Sequence, residues 1–83
     1  MSPDDDAIRK ALALARGGEW DASHRIVQSL SSKLACWLHA NLHKEEGDLG
    51  NARYWYARVG EDRSDLGVEE ERVLIEQRLG EKK

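Results

Sequence analysis

Phenylalanine is absent from this chain, and cysteine and proline occur once each. A single cysteine, Cys36, excludes an internal disulfide, and its apolar neighbours favour a buried thiol over a reactive one. No apolar run approaches the ~20 residues that a membrane-spanning helix needs. The acidic residues 1–6 lack the basic and then apolar order of a secretory signal. Together these absences predict a protein of the cytoplasm that does not contact a membrane.

A surplus of positive charge is also missing. The chain has 13 lysines and arginines against 16 aspartates and glutamates, which gives a net charge of −3. Nucleic-acid binding needs a basic surface, so we expect no nucleic-acid partner. The 83 residues suffice for a single domain, 1–83. A chain of this size buries only about 60–65% of the surface that its unfolded form exposes, so we expect modest stability.

The spacing of the apolar residues predicts an all-α fold with five helices. The expected helices cover about 7–16, 22–30, 33–46, 49–59 and 64–79, and residues 80–83 form a frayed tail. Glycine pairs, serine pairs and single glycines separate them, because glycine commonly ends a helix and serine suits a helix start. The expected N-caps are Asp21 for the second helix, Asp48 for the fourth, and Ser64 or Asp65 for the fifth.

The first four helices form two similar units. Gly18-Glu19-Trp20 and Gly47-Asp48-Leu49 share the order glycine, acid, large apolar residue, and the two glycines are 29 residues apart. An alanine precedes each glycine by seven positions, and a small residue follows it by five. This pattern predicts two close contacts between helices, Ala11 with Ser23 and Ala40 with Ala52.

This pattern resembles the tetratricopeptide repeat, whose motif is W-x2-L-G-x2-Y, a glycine turn and then A-x3-F. The matching positions are Ala7, Lys10, Ala11, Leu14, Gly18, Ser23 and Val27 in the first unit, and Cys36, His39, Ala40, His43, Gly47, Ala52 and Tyr56 in the second. The resemblance covers 7–60 and implies antiparallel helical hairpins at 7–31 and 33–60, with helix 64–79 as a C-terminal cap. Residues 37–48 also resemble small uncharacterised bacterial proteins, which implies no function.

The tetratricopeptide resemblance implies a concave groove lined by the first helix of each hairpin. The candidate partner-binding residues are then Leu34, Trp37, Asn41, Lys44 and Glu45. Either a protein or peptide occupies this groove, or the fifth helix covers it, since a terminal repeat has an apolar face to cover. We favour the cap. The expected partner is a protein, a peptide or a second copy of the chain.

A candidate metal site is formed by His39, His43 and Glu46, which share one face of the third helix at i, i+4 and i+7. Imidazole nitrogens and a carboxylate are typical zinc ligands. In the alternative, the histidines are structural and lie in the seam with the fourth helix. They would then bond to nearby polar groups: Tyr54, Tyr56, Asn51 and Glu46. We favour the structural role, because histidines at i, i+4 are common.

Catalytic motifs are not visible in the sequence. It shows no nucleophile with a base, no glycine-rich phosphate loop and no Cys/His cluster, so we expect neither an enzyme nor a cofactor. The sequence therefore predicts a small, non-enzymatic, all-helical interaction module. The alternative is a protein that binds a metal or small ligand through His39, His43 and Glu46.

Overall fold

The computed structural model describes residues 3–60 and 65–81, and within these ranges the backbone forms five α-helices and no strand. The helices are α1 (Pro3–Arg16), α2 (Trp20–Val27), α3 (Lys33–Glu45), α4 (Leu49–Val59) and α5 (Val68–Glu81). The predicted all-helical fold is confirmed. Contacts are most extensive within the pairs α1–α2 and α3–α4, as expected of two helical hairpins, and α5 packs against α1 and α3. None of these helices is long and apolar enough to cross a bilayer.

Both hairpins turn at a glycine in the left-handed conformation. The φ angle is +83° at Gly18 and +87° at Gly47, a region that residues with side chains rarely adopt. After each glycine, the amide of the next residue donates to the carbonyl five residues back, with N···O distances of 2.9 Å in both turns. These bonds satisfy carbonyls at the end of the first helix and let the second helix begin after three residues.

The predicted cap of α4 is confirmed, and α3 starts directly after the serine pair that was expected to separate it from α2. The side chains of Ser32 and Asp48 each accept a hydrogen bond from the amide three residues on, at 3.3 and 3.2 Å. The cap predicted for α2, Asp21, is wrong, because α2 already begins at Trp20. The glycine turn is complete within three residues, so Asp21 lies inside the first helical turn.

The fifth helix starts and ends later than predicted. Its first residue is Val68, and the preceding glycine amide donates to Glu70 Oε1 at 2.7 Å, a capping interaction from inside the first turn. Asp65 lies in the turn before the helix, and Ser64 lies outside the described residues. Gly80, predicted in a frayed tail, is helical.

The core surrounds α3. Ten consecutive residues of this helix, 34–43, are buried, since the other four helices pack around it. They contribute Ile8, Leu12, Val27, Val59, Ile75 and Leu79 to the core. The predicted contact between α1 and α2 is confirmed, because Ser23 Oγ donates to the Ala11 carbonyl at 2.7 Å. A helix enclosed on all sides also buries its polar residues, and these need partners.

Candidate functional site

All three histidines of the chain meet between α2 and α3. One nitrogen of each of His24, His39 and His43 lies within 4.8 Å of the nitrogens of the other two. His39 and His43 are 3% and 8% exposed, and His24 is half-buried. We call these three residues the histidine triad. The structure thus joins the predicted pair to His24, which the sequence analysis did not single out.

The positions of the three histidines along α2 and α3 bring their rings together. His39 and His43 are one turn apart on α3, and their ring centroids are 5.0 Å apart. On α2, the hydroxyl of Ser23 bonds to α1, and the next residue, His24, lies on the adjacent side of the helix, towards α3. Its ring centroid is 4.7 Å from that of His39 and 5.1 Å from that of His43. The seam between α2 and α3 is therefore lined by imidazoles.

A signal for His24 exists in the sequence. The small residue Ser23 predicts contact between α2 and α1, so the neighbouring position faces the next hairpin if the hairpins stack. Trp20 lies four residues before His24, a spacing at which side chains meet on a helix. These two relations place His24 beside α3 only when the order of the helices in space is also known.

Tryptophans border the triad on two sides. The ring of Trp20 stacks on His24, with centroids 4.7 Å apart and planes at 12°, and Trp55 stacks on His39 at 3.9 Å and 16°. The Trp20 indole donates to the Leu42 carbonyl at 2.8 Å, which fixes its ring against α3. Large aromatic faces keep water away from the imidazoles and hold their planes in place.

Burial favours the neutral form of His39 and His24. It lowers the pKa of His39 to about 4, with smaller contributions from the neighbouring His24 and His43. The pKa of His24 is lowered as well, first by burial and then by His43. A neutral imidazole has one unprotonated nitrogen, and this is the form that binds a metal ion.

His39 has an unsatisfied nitrogen. Its Nδ1 is buried and has no hydrogen-bond partner among the described residues. A buried polar atom without a partner lowers the stability of the folded state by roughly 1–3 kcal/mol. About 90% or more of buried polar groups avoid this loss by forming a hydrogen bond. The hydrogen bonds that the sequence suggested for His39 are not formed at this nitrogen. A buried nitrogen on a ring that adjoins two other imidazoles is an arrangement that a cation would satisfy.

Glu46 lies outside the triad. It is the C-cap residue of α3, and its Oε1 is 3.4 Å from Nδ1 of His43. His43, Glu46 and Asp48 form a second set of ligand atoms within 4.8 Å of one another, which we call the outer group. The structure thus brings Glu46 to His43, but not to His39. If Nδ1 of His43 donates its hydrogen to Glu46, Nε2 is left unprotonated.

Four of the five candidate partner-binding residues of α3 contact α5. They are engaged by polar contacts at 2.8–3.0 Å: Trp37 and Lys44 with Glu71, Asn41 with the Val68 carbonyl, and Glu45 with Arg72. The fifth, Leu34, is 6% exposed. The C-terminal helix therefore covers this surface, as the favoured alternative predicted.

Comparisons of the chain with protein-family models, with curated proteins and with solved structures found no match. The resemblance to the tetratricopeptide repeat therefore rests on the sequence pattern. The interpretation of the histidine triad rests on its geometry and chemistry.

Proposed function

We propose that this protein is a small, non-enzymatic metal-binding protein whose histidine triad holds one transition-metal ion. The observation that carries the proposal is the buried, unpartnered Nδ1 of His39, on a ring whose centroid is 4.7 Å from that of His24 and 5.0 Å from that of His43. A purely structural role would leave this nitrogen unsatisfied in the core. A metal ion would use its lone pair and those of the two neighbouring rings.

The donor atoms favour a late first-row ion such as Zn²⁺, Ni²⁺ or Cu²⁺. Imidazole nitrogen suits these ions, whereas Mg²⁺ and Ca²⁺ prefer oxygen. Zinc binds imidazole at about 2.0–2.1 Å, which places the nitrogens of a tetrahedral site roughly 3.4 Å apart. The triad nitrogens lie within 4.8 Å of one another, so ring rotations that move them closer by up to about 1.4 Å supply three of the four ligands, and water supplies the fourth.

The surroundings of the triad favour binding over catalysis. Two cavities of about 190 and 240 Å³ occur in the described part of the chain. The first lies between α1 and α5, and the second is lined by residues of α3 and α4; neither is lined by a histidine. The triad itself is covered by Trp20 and Trp55. A substrate-sized space next to the proposed ion is therefore not among these cavities.

Zinc titration followed by calorimetry and by NMR of the imidazole rings tests the proposal. We expect one ion per chain and shifts of all three rings. His24→Gln removes a ligand, and we expect it to weaken binding more than about tenfold, because even residues that only support a ligand are worth 10–100-fold. Glu46→Gln is the matched control, since its amide oxygen still accepts from His43.

Two results would contradict this function. The first is an unshifted His39 ring at saturating zinc. The second is equal affinity of His24→Gln and the wild type. Binding that is lost in Glu46→Gln but retained in His24→Gln would move the ion from the triad to the outer group.

Protein interaction is our second proposal. Leu49 and Tyr54 on α4 are each 56% exposed, and they offer apolar surface that α5 does not cover. Single exposed apolar residues are normal in monomers, so this role has less support than metal binding. Sedimentation over a concentration series tests self-association, and a monomer at every concentration would remove the second copy as a partner.

A further inference from the structure

We propose that the carboxylates of Glu46 and Asp48 form the path by which a metal ion reaches and leaves the buried histidine triad. This inference rests on the proposed metal-binding function. It gives the outer group a role distinct from that of the final ligands.

The two groups of ligands share one residue. His43 belongs both to the triad and to the outer group, and in each the ligand atoms lie within 4.8 Å of one another. His43 itself is 8% exposed, while the side chain of Glu46 is 36% exposed. The chain therefore presents a continuous series of metal-binding atoms from the exposed turn after α3 to the core.

The flanks of the triad restrict other paths. Trp20 stacks on His24 and Trp55 stacks on His39, each ring lying nearly parallel to its imidazole. His43 has no parallel tryptophan among the described residues, since Trp20 meets it edge-on at 65°. An ion moving along the outer group would thus meet His43 before the two stacked imidazoles.

The outer carboxylates suit a first, weak capture of a hydrated cation. The Asp48 carboxylate accepts hydrogen bonds from the side chain and backbone of Asn51, at 2.7 and 3.2 Å, which hold it at the turn beside His43. A pair of carboxylates at the mouth of a site raises the local concentration of cations and their association rate.

Transfer inward needs no additional reactant. Carboxylate oxygens first replace water on the ion, and the ring nitrogens of His43, His24 and His39 then replace the carboxylates. A ring nitrogen binds the ion through its lone pair, and a proton on that nitrogen passes to water. The ion keeps its charge and oxidation state, and the displaced groups are water and the two carboxylates.

A path and a ligand have different kinetic signatures. A group that only assists passage lowers one barrier, which is crossed in both directions. Its loss therefore slows association and dissociation by similar factors and leaves the equilibrium constant nearly unchanged. A lost ligand instead speeds dissociation and weakens binding.

The test is stopped-flow mixing of the intact chain with Zn²⁺, and of the zinc-loaded chain with a chelator, read by tryptophan emission. The double variant Glu46→Gln/Asp48→Asn keeps the acceptor for His43 and a competent N-cap for α4. We expect both rates to fall about tenfold, because loss of the carboxylates raises the one barrier that the ion crosses in both directions. The dissociation constant should stay within about threefold of the wild type.

Two single variants serve as controls. Asp6→Asn removes an exposed carboxylate from α1 and should leave both rates unchanged. Asp21→Asn removes the carboxylate that acts on His24, and tests a path on that side of the triad. A slowdown confined to Asp21→Asn would overturn the assignment of the path to Glu46 and Asp48.

The remaining outcomes separate this inference from the function on which it rests. Normal zinc affinity with unchanged rates in the double variant would overturn the path and leave the triad as the site. Slower association with an unchanged dissociation rate would show that the carboxylates act only by long-range attraction, and it would overturn the proposed path. A wild-type chain that binds no zinc would overturn both proposals.

Discussion

His39 is the residue whose protonation the folded state opposes most directly. Its ring is 3% exposed and stacks on Trp55, and two further imidazoles adjoin it. Its pKa is lowered from 6.5 to about 4 in the folded protein. As the pH falls, the unfolded chain binds this proton first. The contribution of the neutral His39 ring to the free energy of unfolding is therefore fully present above pH 6.5. It is lost as the pH falls from 6.5 towards 4.

We expect the protonation of His39 to lower the free energy of unfolding by on the order of 2–3 kcal/mol between pH 7 and pH 4. Urea unfolding at several pH values, followed by tryptophan emission, measures this loss. His39→Phe keeps a ring against Trp55 but cannot take up a proton. Its stability should therefore change less over this range, with the rest of the slope coming from His24 and the carboxylates. An equal pH slope in both proteins would show that His39 does not cause it.

At the scale of single residues, the sequence predicted the pair but not the triad. The spacing of four between His39 and His43 is a property of one helix, and any helical assignment places them on one face. His24 joins them through the packing of α2 on α3, which no local spacing encodes. Glu46 was assigned to the same face by its spacing of seven, but it caps the helix and reaches only His43.

Two glycines close in sequence, Gly47 in the turn before α4 and Gly50 inside α4, have opposite effects on stability. Gly47 has a φ of +87°, so an alanine there should cost about 1–2 kcal/mol through its left-handed backbone. Gly50 lies inside α4, where an added methyl would meet only a side-chain oxygen of Asp48 at 3.9 Å. Gly50→Ala should therefore stabilise the protein by about 0.4–1 kcal/mol. Thermal unfolding of both variants measures the difference, and shifts of the same sign would refute it.

The fifth helix is held by a buried carboxylate. Glu71 is 0% exposed, and its Oε1 accepts hydrogen bonds from the Trp37 indole at 2.8 Å and the Tyr56 hydroxyl at 2.7 Å. Its other oxygen lies 3.0 Å from the Lys44 ammonium. Buried, charge-assisted hydrogen bonds of this kind are among the stronger ones in proteins.

Glu71→Gln keeps an oxygen for these donors but directs an amide group towards Lys44. We expect it to cost about 1–3 kcal/mol in urea unfolding. The matched control is Glu69→Gln, two residues earlier, where a carboxylate that is 60% exposed pairs with Arg16. That surface pair should be worth less than about 1 kcal/mol. Equal losses in the two variants would mean that burial of Glu71 does not set its contribution.

At the scale of helices, the existence of all five was predictable, and their ends were less so. Glycine and apolar spacing fix where a helix stops, and α4 matches its predicted range. The start of α2 was misplaced because Asp21 is a better cap by composition than Glu19, whose side chain makes no capping bond. The position of the glycine turn sets the first residue of α2. The preference of a single residue for the N-cap position does not.

For the molecule as a whole, enclosure of α3 links fold and site. The other four helices surround α3, and so they bury its two histidines, its asparagine and its tryptophan together. The sequence predicted the hairpins and favoured the cap, because the repeat pattern and the amphipathic last helix are local features. It could not predict that polar residues of α5 would satisfy those of α3, because these pairs join positions up to 34 residues apart.

Zinc should stabilise the whole fold, because the histidine triad joins α2 to α3 and exists only when both are packed. An ion that binds the folded chain alone adds about 2.7 kcal/mol to the free energy of unfolding at a free concentration of 100 times its dissociation constant. We expect the melting temperature to rise with added Zn²⁺, and a chelator to reverse the rise. The effect should shrink as the pH falls towards 4, because protons then compete with the ion for His39. At the same zinc concentration, His24→Gln should show a clearly smaller rise than the wild type, whereas Glu46→Gln should retain the full rise. A zinc-dependent rise of equal size in His24→Gln would place the ion elsewhere in the chain.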